Sequence, residues 1–198
     1  MSVTDLHALL KHELGDLLYA EKTILKALKK MAREVSAPDM RERIVAHQGE
    51  TEQQIQNLER AFEAIGERAR AQKCPGILGI VQEHEDFVEE EEPSKPILEA
   101  FDLGAGLRIE HYEIAGYRSA IALAKSMRRA EVVELLRANL EQEVAMAKFI
   151  EGQAAKSLQG VSGMLAQAEG ETPTRGARKT TARKAAAKRQ PAAAERAD

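Results

Sequence analysis

Six side chains carry the chemistry of this sequence: Glu21, His47, Glu50, Glu110, Glu113 and Glu143. Glu21 interrupts a run of Leu10, Leu14, Leu17, Ile24, Leu28, Met31 and Val35, spaced by threes and fours. Glu143 interrupts a similar run of Val133, Leu136, Leu140, Ala147, Ile150 and Ala154. That spacing is one helix face turned towards a core. An ionised carboxylate on such a face is costly unless it is paired with a cation or holds a metal. His47 and Glu50 are three apart, as are Glu110 and Glu113, so each pair shares a face. Carboxylates and imidazole converging from facing helices are how carboxylate-bridged di-iron and di-manganese centres are built. For Glu21 and Glu143 the competing reading is a core ion pair with Arg108 or Arg137. His47 either ligates or donates to a carboxylate across the bundle. Gln53 and Tyr117 are the candidates for orienting ligands.

Four long helices must position these groups. The first starts at the Thr4/Asp5 cap and runs to about Glu34. Pro38 opens the second, which runs to Gly66, and the short connection makes the two antiparallel. The stretch 67–96 is too long for a bundle turn and reads as a crossover, with a turn at Cys74-Pro75-Gly76 and a short helix over Ile77 to Val88. The acidic run Glu89 to Glu92 reads as a solvated loop. The third helix runs from about Ile97 to Ser126 and the fourth from about Arg129 to Ser157. The expected fold is therefore all-α: a ferritin-like antiparallel four-helix bundle, two helical hairpins joined by a long crossover, with a short extra helix. An elongated coiled-coil dimer is the other architecture, and the interrupted stripes argue against it.

Depth along the bundle follows from the rise of ~1.5 Å per residue. With the first turn centred near residues 36–37, Glu21 lies about 15 residues before it and Glu50 about 14 after it. With the second near 127–128, Glu113 and Glu110 lie about 14 and 17 before it and Glu143 about 16 after it. Superposing the hairpins sets Glu21 over Glu113 and Glu50 over Glu143.

The chain has 198 residues, 4% aromatic, with no Trp, and Leu, Ala, Glu, Lys and Arg dominate, which suits long helices. No run approaches a membrane span, and Met1 to Asp5 does not read as a secretory signal. Cys74 is the only cysteine, which excludes an internal disulfide and fits a reducing, cytoplasmic setting. The net charge of −3 hides an asymmetry. Between Thr172 and Asp198 eight Lys/Arg face only Glu195 and Asp198, giving +6 and leaving −9 for residues 1–171. Large apolar residues vanish after Leu165, so the domain is expected over 1–160 and a disordered basic tail over 161–198. The tail suits phosphate backbones without sequence preference; the alternative is a solubilising role.

Four segments, Tyr19-Ala20-Glu21-Lys22, His47-Gln48-Gly49-Glu50-Thr51-Glu52-Gln53, Glu110-His111-Tyr112-Glu113-Ile114-Ala115-Gly116-Tyr117 and Leu140-Glu141-Gln142-Glu143, resemble the YciE/YciF family of ferritin-like proteins over residues 1–160. The resemblance implies a ferritin-like bundle, a di-iron site, a stress-associated role and a homodimer. Ferritin-like sites use a Glu-x-x-His order; here His47 precedes Glu50, Gln53 stands at the histidine place, and Met146 occupies that place in helix four. The expected site is rich in carboxylate and poor in imidazole.

The leading functional expectation is a di-iron centre, two Fe per chain with Mn as the other fitting metal, that reacts with O2 or peroxide in a ferroxidase-like or peroxide-scavenging way. The alternative is a non-catalytic, stress-associated helical dimer, with or without a DNA tether through residues 172–198.

Overall fold

Asp5 opens the first helix, α1 (Leu6–Glu34), by accepting the Ala8 N–H on its carboxylate at 2.7 Å, which satisfies one of the orphan donors of the first turn. Pro38 takes the first position of α2 (Pro38–Ala64). That helix closes at Gly66, whose φ of 78° is easy only for glycine; Gly66 N–H reaches Glu63 O and Glu67 N–H reaches Phe62 O, both at 2.9 Å. The crossover carries α3 (Pro75–Glu91), and α4 (Lys95–Ser126) and α5 (Ala130–Gly170) form the second hairpin. The computed structural model describes residues 3–35 and 37–170, and among these there is no strand. The basic segment 172–198 lies outside the described residues.

Two differences from the sequence expectation concern helix length. α3 absorbs Glu89, Glu90 and Glu91, which are exposed, and only Glu92 leaves the helix, at φ 42°. α5 continues beyond residue 160 to Gly170, past Leu158, which is 58% exposed.

α1 packs on α2, α4 on α5, α1 beside α4 and α2 beside α5. The crossover runs the length of the bundle, so every neighbouring pair is antiparallel and the hairpins face each other. Two apolar clusters result. One joins Leu10, Leu14, Leu58, Phe62, Ile121 and Leu136. The other joins Ala20, Ile24, Leu28, Ile44, Cys74 and Ile77 near the α1–α2 turn. Between these ends each of the four long helices contributes buried polar side chains, among them Glu21, His47, Gln54, Glu113 and Glu143.

The crossover is fastened to the bundle at named points. Gln72 N–H donates to Gly15 O at 2.9 Å, where a Cβ on Gly15 would stand 3.0 Å from Arg70 O. Tyr112 on α4 donates to Asp16 on α1 at 2.6 Å, and its hydroxyl lies 2.9 Å from the buried Cys74 thiol at the start of α3. Further along, Phe87 stacks on Phe101 with centroids 3.7 Å apart.

A Cβ on Gly76 would stand 2.5 Å from Tyr112 Cε2, and the ring is pinned by its two hydroxyl contacts. Gly76→Ala is therefore expected to lower stability by about 1–2 kcal/mol, overpacking outweighing the gain in helix propensity. Thermal unfolding should show a Tm lower by about 2–8 °C.

Candidate metal centre

The polar layer between the apolar clusters contains five of the six sequence-expected residues in buried form. Glu21, His47, Glu110, Glu113 and Glu143 are each at most 3% exposed. His47 Nε2, one Glu110 oxygen and one Glu143 oxygen lie within 4.8 Å of one another, a cluster that could hold a metal ion. His47 Nε2 stands 3.5 Å from Glu110 Oε1.

Glu50 is placed differently. Its side chain is 30% exposed, and Oε2 accepts from Arg43 Nη1 and contacts His47 Nδ1, each at 2.9 Å. The α2 residue facing α5 at the level of the carboxylates is instead Gln54, whose Nε2 donates to Glu143 Oε1. Glu50 is one helical turn away, about 6 Å along the axis. Depth alone does not set it apart, since His47, nearer the turn, reaches the cluster; the Glu50 carboxylate turns instead to Arg43 and His47. Arg108 and Arg137 do not reach the cluster: Arg108 pairs with Glu83 at 3.8 Å and Arg137 with Glu134 at 3.0 Å.

Three amides complete the layer: Gln54, on the inward stripe that the helical spacing of α2 gives, and Asn57 and Asn139, which were not among the expected site residues. Gln54, not Gln53, points inward; Gln53 donates to Asn57 at 3.2 Å. Asn57 donates to Asn139 at 2.7 Å, and Asn139 donates to the Tyr117 hydroxyl at 3.0 Å and to Gln54 O at 3.2 Å. Tyr117 donates to Glu21 Oε1. The available signal was periodic: Thr51, Gln54 and Leu58 continue the inward face set by Ile44 and His47, and Asn139 precedes Glu143 by four on the α5 stripe.

Burial dominates the electrostatics. It pushes the carboxyls of Glu21, Glu113 and Glu143 well above the usual range, and the neighbouring carboxylates push in the same direction. Glu110 is pushed up to about 7, again mainly by burial, with its hydrogen bond to Glu143 opposing. The charges of Glu21, Glu143 and Glu110 all add to the rise at Glu113. Burial raises the Tyr117 hydroxyl too, and the Glu21 charge adds to it. Partial burial of Glu50 is outweighed by hydrogen bonds from His47 and Arg43, which hold it below the usual value.

The residues fit a metal by a further measure. His47 Nε2, Glu110 Oε2, Glu113 Oε1 and Glu143 Oε2 are buried and have no hydrogen-bond partner. These are one imidazole nitrogen and three carboxylate oxygens, a donor set suited to Fe(II) or Mn(II). A divalent cation supplies the positive charge that the layer otherwise takes as protons.

Two facing antiparallel hairpins, a lengthwise crossover and a buried carboxylate layer define a ferritin-like helical protein. The chain belongs to the family described as "Domain of unknown function (DUF892)", which its residues 5–162 match. It is 31% identical over 135 residues to Protein YciF of Escherichia coli (strain K12), spanning 68% of this chain and 81% of that protein. Among solved structures it superposes on YcfI from Rhodopseudomonas palustris with a TM-score of 0.72 at 32% identity, covering 76% of this chain and 95% of that one. The E. coli stress protein YciF superposes with a TM-score of 0.72 at 27% identity, covering 79% and 98%. Among the described residues no helix is long and apolar enough to cross a membrane.

The raised carboxyls set a pH dependence for the metal-free protein. Glu110 binds a proton in the fold up to about 7 but only up to about 4.5 when unfolded. Its folded value is the higher one, so the fold holds more protons between these limits and stability falls as pH rises through them. Glu110→Gln removes that term. In chelator-treated protein the variant should gain on the parent by about 3 kcal/mol between pH 4.5 and pH 8, read by urea unfolding at each pH.

Proposed function

We propose that this protein binds a pair of divalent ions, Fe(II) or Mn(II), in its carboxylate layer and uses iron to consume O2 or peroxide as part of a stress response. The observation that carries the reading is the set of four buried, unpartnered donor atoms on His47, Glu110, Glu113 and Glu143. The stress role is carried over from E. coli YciF, which is described as a stress protein.

The residues divide the work. Glu110, Glu113 and Glu143 offer free oxygens, and protons held on these raised carboxyls leave as cations bind, so loading releases acid. Glu21, held through Oε1 by Tyr117, contributes its carboxylate from α1. His47 ligates through Nε2 while Glu50, anchored by Arg43, holds the other ring nitrogen and so fixes the ring. When bound, an Fe(II) pair supplies the two electrons that reduce peroxide to water or O2 to peroxide. The apolar clusters on both sides exclude water from the layer.

Protein purified without chelator is expected to carry about two Fe or Mn per chain by elemental analysis, as carboxylate-bridged bundles do. Glu21→Ala combined with Glu143→Ala should abolish this. Metal content unchanged in the double variant would reject the site as drawn.

The +6 charge of residues 172–198 supports a second property, tethering to phosphate backbones. The full chain should be retained on duplex DNA at low salt and lose retention steeply as salt rises, while a chain ending at residue 170 is not retained. Equal retention of the two would set the tether aside.

A further inference from the structure

The hydrogen bonds around Asn139 fix their own direction. Asn139 is fully buried and lies 3.2 Å from Gln54 O. A backbone carbonyl can only accept, so the Asn139 atom facing it must be the amide nitrogen. The same nitrogen faces the Tyr117 hydroxyl at 3.0 Å, so that hydroxyl must accept from it. Its one hydrogen is then left for Glu21 Oε1. On the other side Asn139 Oδ1 accepts from Asn57 at 2.7 Å, and Asn57 Oδ1 accepts from the exposed Gln53 at 3.2 Å. Every donor in the string Gln53, Asn57, Asn139, Tyr117 points the same way, and the string ends on a carboxylate of the metal layer.

We infer that Asn139 is a positioning residue: by turning the Tyr117 O–H onto Glu21 Oε1, it commits that oxygen and leaves Glu21 to offer a cation its other oxygen alone. This rests on the metal-binding reading above and specifies how one of its ligands is held. The effect on Glu21 passes entirely through the Tyr117 hydroxyl. Asn139 touches no donor atom of the cluster itself and acts on the site from α5, one turn from Glu143. Partners that orient metal ligands in this way typically change affinity 10–100-fold when removed.

Because the effect runs through one hydroxyl, a double-mutant cycle isolates it. Mn(II) binding to the full chain is titrated by the electron paramagnetic resonance of free Mn(II), for the parent, Asn139→Ala, Tyr117→Phe and both together. Each single change is expected to weaken binding by about tenfold or more. The double variant should be no weaker than the worse single. Losses that multiply in the double variant would mean that Asn139 supports the fold generally, and would overturn the inference. Tyr117→Phe keeps the ring and removes only the hydroxyl, so unchanged affinity in that variant overturns it even if Asn139→Ala fails to fold. A parent chain that takes up no Mn(II) fails at an earlier step: it removes the metal-binding reading, and this inference with it.

Discussion

Mutual repulsion among buried carboxylates is the constraint on which the rest of this structure depends. Glu21, Glu110, Glu113 and Glu143 are withdrawn from water, and neither Arg108 nor Arg137 reaches them. Only shared protons or a cation can relieve the arrangement. The apolar clusters at either end hold it in place, and leucines contribute most of that burial: Leu10, Leu14, Leu17 and Leu18 on α1, Leu58 on α2 and Leu136 on α5. The bundle thus pins an unfavourable layer between two favourable ones, a distribution expected where binding, not stability, has shaped the interior.

Much of this was legible in the chain, for identifiable reasons. Asp5, Pro38 and the Gly66 stop act locally, so caps and hairpins could be read directly. The broken stripes marked Glu21 and Glu143 because a carboxylate on a 3.6-residue apolar period has no ordinary explanation. What escaped depends on the partners each side chain meets. Gln53 and Gln54 differ by one residue, about 100° around the helix; the stripe through Ile44, His47, Thr51 and Leu58 favours Gln54, and the packing of α2 against α5 sets it against Glu143. The direction of the Glu50 carboxylate escaped because it is set by Arg43, a partner about two turns back on the same helix, and not by the face that Glu50 shares with His47. Asn57 and Asn139 carry no charge, so even though Asn139 keeps the helical step to Glu143, the role of either shows only once the partners are visible.

The crossover does more than return the chain. Cys74, Tyr112 and Asp16 join three elements at one point, and Tyr112 is the immediate neighbour of Glu113 on α4. The docking of α3 and the placement of a site carboxylate therefore share one stretch of backbone. The match to the family spans residues 5–162, which contains the whole bundle and crossover and stops short of the basic segment. What the solved relatives share with this chain is the scaffold; the charge asymmetry arises from a C-terminal segment that lies beyond the matched span.

The division of the interior into two apolar clusters bears on how the bundle opens. A continuous core transmits cooperativity along its whole length, whereas a protonated polar layer couples its two sides weakly. Without cations, the end built on Ile24, Leu28 and Ile44 and the end built on Leu10, Phe62 and Leu136 can fluctuate as separate units. Ligands drawn from all four long helices would join them into one. A cation bound there would turn two loosely joined halves into a single rigid body, so local dynamics would report occupancy of the layer.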